Sequence, residues 1–96
     1  MSSLARNLIR DSRIKTTGAK AKELRPFIEK LVTKAKTNTV ASRRMVNSRI
    51  KSAVETKKLF ETVAPKYVSR NGGYTRIVKL PNRDLDGSPM ALIEFV

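Results

Sequence analysis

Three groups of basic residues fall within 25 positions of the chain: Lys20, Lys22 and Arg25, then Lys34 and Lys36, then the adjacent pair Arg43 and Arg44. Side chains of this kind bind phosphate, because Lys and Arg displace the counterions condensed on a polyanion and the planar Arg fork matches two phosphate oxygens. A single basic ridge on a helix is ordinarily no more than a solvated face. Here 21 Lys and Arg stand against eight acidic residues in a chain of 96, a formal net charge of +13. That excess repels itself unless a polyanion neutralises it, so the composition points to a nucleic acid as partner. The acidic residues are scattered and basic residues occur in every expected element but the last strand, which implies contact over a wide surface.

The segment Ser69-Arg70-Asn71-Gly72-Gly73-Tyr74-Thr75-Arg76 is the most distinctive in the chain. Paired glycines allow backbone N–H groups to approach phosphates, Arg70 and Arg76 flank them, and Tyr74 is of the type that stacks on an unpaired base. The same residues equally describe a tight turn into a strand with Tyr74 in the core. Asp84 and Asp86 are the closely spaced carboxylates that a Mg²⁺-dependent nuclease would need, with Glu94 as a third. A turn rich in Asp and Gly explains that pair without a metal. The sequence has no Cys and no His, which removes disulfides, thiolate and imidazole ligands, thiol nucleophiles and Ser-His arrangements together. No catalytic group, metal or cofactor is expected.

These residues must be positioned by a single domain over residues 1–96, since a chain of this length has room for one modest core. Leu4, Ala5, Leu8 and Ile9 recur at helical spacing, with Arg6, Arg10 and Arg13 on another face. The apolar face starts almost at Met1, so this helix either begins abruptly or continues from residues upstream. Arg13 to Thr17 carries Ile14, Thr16 and Thr17 and predicts a short strand, ended by Gly18. Leu24, Phe27, Ile28, Leu31, Val32 and Ala35 then form a helical stripe opposite Lys22, Glu29, Lys30 and Thr33. That helix either starts near Pro26 or tolerates it in its first turns.

Asn38 or Thr39 caps a third helix through Val40, Ala41, Met45, Val46 and Ile50, with Arg43, Asn47 and Lys51 along its polar side. Ser52 and Glu55 match a capping box for a fourth helix through Leu59, Phe60, Val63, Ala64 and Tyr67, disturbed at Pro65. Tyr74 to Leu80 and Met90 to Val96 read as strands. The loop from Pro81 to Pro89 between them predicts an antiparallel hairpin. The order helix, strand, three helices, two strands predicts an α+β domain, its helices packed on a small three-stranded mixed sheet. The longest apolar run, Met90 to Ile93, is too short to span a bilayer, and Met1 to Ser12 lacks the apolar block of a signal peptide. A soluble, intracellular protein is expected, with no membrane partner and no small-molecule substrate.

The blocks Ile14-Lys15-Thr16-Thr17, Ala21-Lys22-Glu23-Leu24-Arg25, Ala41-Ser42-Arg43-Arg44, Gly72-Gly73-Tyr74-Thr75-Arg76-Ile77 and Met90-Ala91-Leu92-Ile93-Glu94 occur in the order and spacing of one family. Over nearly its whole length the chain resembles ribosomal protein seventeen of the bacterial large subunit. The resemblance implies the same order of elements and a structural role. It implies binding to large-subunit ribosomal RNA near the peptide exit tunnel, support of assembly, and neighbouring large-subunit ribosomal proteins as further partners. The setting would be a cytoplasmic ribosome, or an organellar one. On the family's matching positions, Lys15, Thr16, Lys22, Arg25, Arg43, Arg44, Arg70, Gly72, Gly73, Tyr74 and Arg76 are expected to approach RNA. The basic helix faces add Arg6, Arg10, Lys20 and Lys51. Two features depart from the family. No Arg- and Gly-rich arm precedes the first helix, and the loop carries Pro81 and Leu85-Asp86-Gly87 where a Gly-Asp turn is usual. A DNA-binding or architectural protein is the alternative, since duplex DNA rewards the same positive field.

Overall fold

The computed structural model describes residues 1–96. Helix α1 (Ser2–Asp11) buries Ala5, Leu8 and Ile9 and ends at Ser12, which takes the left-handed conformation of a C-cap. Strand β1 follows at Arg13–Thr17. Helix α2 (Gly18–Thr37) is the longest element, and Thr17 caps it by accepting a hydrogen bond from the Lys20 N–H.

Pro26 lies inside α2 and does not start it. A proline in a helix interior costs about 3 kcal/mol. The buried stripe Ala21, Leu24, Ile28, Leu31, Val32 and Ala35 outweighs that cost, since each large apolar side chain contributes about 1.5–3 kcal/mol on burial. Pro26 itself faces solvent, where the carbonyl it leaves unbonded can meet water.

Asn38 and Thr39 divide the capping between them. Asn38 ends α2 in the left-handed conformation, and Thr39 begins α3 (Val40–Ile50) in a reciprocal capping box with Ser42. The box expected at Ser52 and Glu55 does not form. Ser52 is the N-cap of α4 (Ala53–Lys58), but its hydroxyl donates to the Glu55 carboxylate instead of accepting from the backbone. Beyond Lys58 the helix widens into a π-helical turn over Leu59–Val63 and closes with a 3₁₀ turn over Ala64–Tyr67. Pro65 is the cause, because its nitrogen has no hydrogen for the helical ladder. The Ala64 N–H reaches back five residues to the Leu59 carbonyl.

Strands β2 (Thr75–Leu80) and β3 (Met90–Phe95) form the expected antiparallel hairpin. The sheet, however, is not mixed. Its order is β1-β3-β2, and β3 pairs antiparallel with both neighbours, so β1 and β2 never meet. The composition explains the arrangement. The apolar run of β3 takes the fully paired centre, while β1 and β2 carry Arg13, Lys15, Arg76 and Lys79 at the edges, where charge discourages further strand addition. Helices α1 to α3 and the turns over Leu59–Tyr67 contribute most of the core, and the sheet closes it with Ala91, Ile93 and the half-buried Ile14, Ile77 and Phe95.

Candidate nucleic-acid interface

Several of the basic side chains are spent on holding the fold. Arg6 in α1 donates from Nη1 to the Ile50 carbonyl at 2.7 Å, at the C-terminal end of α3, and Lys58 donates to the Arg10 carbonyl at 2.6 Å, at the end of α1. Cations at helix C-termini satisfy carbonyls that have no partner in the helix and lie favourably in its dipole field. Arg10 is bridged to Asp11 at 3.1 Å, and Arg76 to its cross-strand neighbour Glu94. Arg70 donates to the Gly73 carbonyl at 3.2 Å and lies over the Tyr67 ring at 5.4 Å.

The glycine turn is occupied from within. Gly72 and Gly73 have φ of 96° and 66°, which only glycine adopts without cost, and the turn aims successive N–H groups at one point. That point is the Glu29 carboxylate of α2. Its Oε1 accepts from the Gly73 N–H at 3.0 Å and the Tyr74 N–H at 3.3 Å. Its Oε2 accepts from the Thr75 N–H at 3.0 Å and the Thr75 hydroxyl at 2.9 Å. The anion in this nest is the protein's own carboxylate, and these N–H groups are not free for phosphate.

Tyr74 is 1% exposed, packed on Tyr67 at 5.1 Å between ring centroids, so its ring does not stack on a base. Its hydroxyl receives the Lys36 ammonium at 2.9 Å, lies 3.3 Å from the Thr33 hydroxyl, and donates to the Arg70 carbonyl at 3.2 Å. Burial opposes ionisation of this phenol, but the hydrogen bonds from Lys36 and Thr33 outweigh it and hold the pKa below its ordinary value. Thr16 is also buried, on the core side of β1. Arg6, Gly73 and Tyr74 are therefore engaged by partners within the fold and Thr16 is buried, whereas Gly72 provides the conformation of the turn.

Other basic residues remain open to solvent. Arg43, Arg44, Asn47, Thr56, Lys57 and Glu61 surround a cleft of about 340 Å³ between α3 and α4. Arg43 is held in place there: its Nε donates to Asn38 Oδ1 at 3.1 Å and its guanidinium lies 5.0 Å from the centre of the Phe60 ring. Arg44 and Lys57 are exposed and have no ion-pair partner; the three ion pairs of the chain are elsewhere. A second group, Lys30 and Lys34 of α2 with Arg49 of α3, gathers around Phe27 and Met45. Lys20, Lys22 and Arg25 are exposed along the start of α2, and Lys22 shares a hollow of about 510 Å³ with Lys79 of β2. Lys15 and Lys51 are exposed and lie apart from these groups.

Lys57, Arg49 and Lys79 were not singled out by the sequence reading. Their signal was present but weak, since each lies in a helix or strand whose partner in space is remote in sequence.

The carboxylate pair does not resemble a metal site. Asp86 Oδ1 accepts from the Ser88 N–H at 3.1 Å, Asp86 is paired with Arg83, and no group of three or more Asp or Glu is placed to hold an ion. The Ser88 hydrogen bond holds the Asp86 carboxyl below its usual range, as expected for a turn. No helix is long and apolar enough to cross a membrane.

The sequence profile of the family described as "Ribosomal protein L17" matches residues 1–96. Among similar curated proteins, the "Large ribosomal subunit protein bL17" of Sulfurihydrogenibium sp. is 53% identical over 94 residues, covering 97% of this chain and 78% of that protein. Its namesake from Hydrogenobaculum sp. is 52% identical over 97 residues, covering 100% of this chain and 82% of its own length. The namesake from Sphingopyxis alaskensis is 50% identical over 93 residues, covering 97% of this chain and 67% of its own length. The chain belongs to the ribosomal protein L17 family.

Proposed function

We propose that this chain is a structural constituent of the large ribosomal subunit. It binds large-subunit ribosomal RNA near the peptide exit tunnel and supports assembly, beside neighbouring ribosomal proteins. The role is structural and not catalytic. The setting is a cytoplasmic ribosome, as in bacteria such as those of the similar proteins. The observation that carries the RNA-binding reading is the convergence of Arg43, Arg44 and Lys57 from two helices on one open cleft, with neither Arg44 nor Lys57 ion-paired. Cations kept free of internal partners at the expense of self-repulsion are suited to phosphates, whose counterions they release.

The RNA-facing set comprises this cleft, the α2 residues Lys20, Lys22 and Arg25 with Lys79, and the Lys30, Lys34 and Arg49 group. Lys15 and Lys51 are peripheral to it. Arg10, Arg70 and Arg76 reach RNA only with the part of each side chain that its internal partner leaves free.

The test is binding to large-subunit ribosomal RNA across a salt series, with duplex DNA of matched charge as competitor. For roughly six to ten phosphate contacts the affinity falls about 10³ to 10⁵-fold between about 50 and 200 mM salt. RNA binding that persists against excess DNA supports the reading. Equal displacement by DNA overturns it in favour of a generic polyanion surface.

A further inference from the structure

An antiparallel sheet with one face on a core ordinarily turns polar residues outward on the other. This sheet does so over only part of that face. The strand register aligns three outward rows: Arg13, Glu94 and Arg76; Lys15, Leu92 and Val78; and Thr17, Met90 and Leu80. The alternate positions, Ile14, Ile77, Ala91, Ile93 and Phe95, pack on the core. Leu92, Val78, Met90 and Leu80 belong to no part of that core, yet they form one apolar centre, with Val78 40% exposed. At one end of this face Lys15, Leu80, Pro81 and Met90 help to bound a hollow of about 350 Å³ beneath the β2–β3 loop. A contiguous apolar patch edged by charge marks an interface.

Three kinds of occupant suit such a face differently. Single-stranded RNA is read by stacking on aromatic rings, and no aromatic side chain lies on these rows. A second copy of the chain would bring Arg13 and Lys15 against a surface of the same sign, each molecule carrying +13. A different protein meets both features. Its apolar side chains bury the aliphatic centre, and its carboxylates answer Arg13 and Lys15, neither of which has an ion-pair partner within the chain.

We propose that the outward face of the sheet docks another protein, one that presents apolar side chains flanked by Asp or Glu. Of the cations assigned to RNA, only Arg76, which is tied to Glu94, and the peripheral Lys15 lie on this face. The chain thereby joins RNA on its helical side to a protein on its sheet side.

The experiment places a photo-crosslinking amino acid at Val78 in the full chain and irradiates assembled large subunits. The expected product joins position 78 to one protein of the subunit, identified by its peptide, whose crosslinked surface is apolar with acidic neighbours. In binding assays with that protein, Val78→Thr, which keeps the branched shape, and Leu92→Thr each weaken the complex at least about tenfold. Both variants keep the parent's affinity for ribosomal RNA within about twofold, which separates this proposal from the RNA reading. Crosslinking to RNA, to a second copy, or to nothing overturns the docking proposal, as does a complex indifferent to both substitutions. Failure of the salt series would overturn RNA binding while leaving the Val78 product standing.

Discussion

The turn at Gly72–Thr75 and the cleft between α3 and α4 both gather hydrogen-bond donors and cations suited to an anion, yet they differ in what already satisfies them. In the turn, three backbone N–H groups converge on Glu29, a carboxylate 44 residues from Gly73, and Arg70 is engaged beside it. In the cleft, Arg44 and Lys57 have no ion-pair partner, and Arg43 is oriented by one hydrogen bond from its Nε and by the Phe60 ring. The turn therefore fastens β2 to α2, and the cleft remains available to phosphate. The comparison shows that a donor-rich motif says little about ligand binding until its internal acceptors are known.

The sharpest test of that comparison removes the cleft. Replacing Arg43, Arg44 and Lys57 together by Ala should lower the affinity for ribosomal RNA by roughly 10² to 10³-fold at about 0.1 M salt. It should also flatten the logarithmic salt slope by about 2 to 3, since each phosphate contact releases nearly one counterion. The melting temperature should stay close to the parent's, apart from a small loss where Arg43 leaves the Phe60 ring. An unchanged salt slope would show that the cleft does not meet RNA.

Glu29→Ala should do the reverse. It strips the acceptor from four donors, so a loss of about 2–3 kcal/mol in unfolding free energy is expected in a urea titration. The folded fraction should bind RNA much as the parent does. Tighter RNA binding by this variant would mean that the vacated nest takes phosphate, and the distinction between the two regions would fail.

A smaller effect separates the two glycines. A Cβ at either position meets nothing within 4 Å, so only backbone conformation matters. Gly73→Ala, at φ 66°, should cost about 1 kcal/mol in the same titration, and Gly72→Ala, at φ 96°, about 2 kcal/mol. Equal, negligible costs would show that the turn opens without consequence and that Glu29 does not fasten it.

The order of elements was legible because the helical stripes in α1, α2 and α3 and the hairpin composition are local signals. The sheet was misread as mixed because strand order is a choice among non-local pairings, decided here by the apolar content of β3. The basic surface was legible as charge, and Arg43 and Arg44 are exposed on α3. What periodicity could not supply was which cations find carbonyls. Arg6 reaches Ile50, Lys58 reaches Arg10 and Lys36 reaches Arg70, over separations of 44, 48 and 34 residues. That Tyr74 lies in the core and the Gly73 N–H meets Glu29 was hidden for the same reason, since Glu29 reads from sequence as one more solvated residue on the polar side of α2.

The finest distinction lies between the two tyrosines packed beside each other. Burial pushes the Tyr67 phenol above the ordinary value of 10.0, whereas for Tyr74 burial is outweighed by the hydrogen bonds from Lys36 and Thr33, and the pKa lies below 10.0. By linkage, the contribution of Tyr67 to stability is full below pH 10.0 and is lost as pH rises through its folded value. The contribution of Tyr74 has the opposite sign: it is present above pH 10.0 and is lost as pH falls through its lowered value. A near-ultraviolet absorbance titration of Tyr67→Phe should therefore show one phenol ionising below 10.0, and that of Tyr74→Phe one phenol ionising above it. Should the phenol that remains in Tyr67→Phe titrate at its ordinary value, Lys36 does not hold the Tyr74 oxygen. That cation would then move from the side of the molecule that fastens the turn to the side that is free to meet RNA.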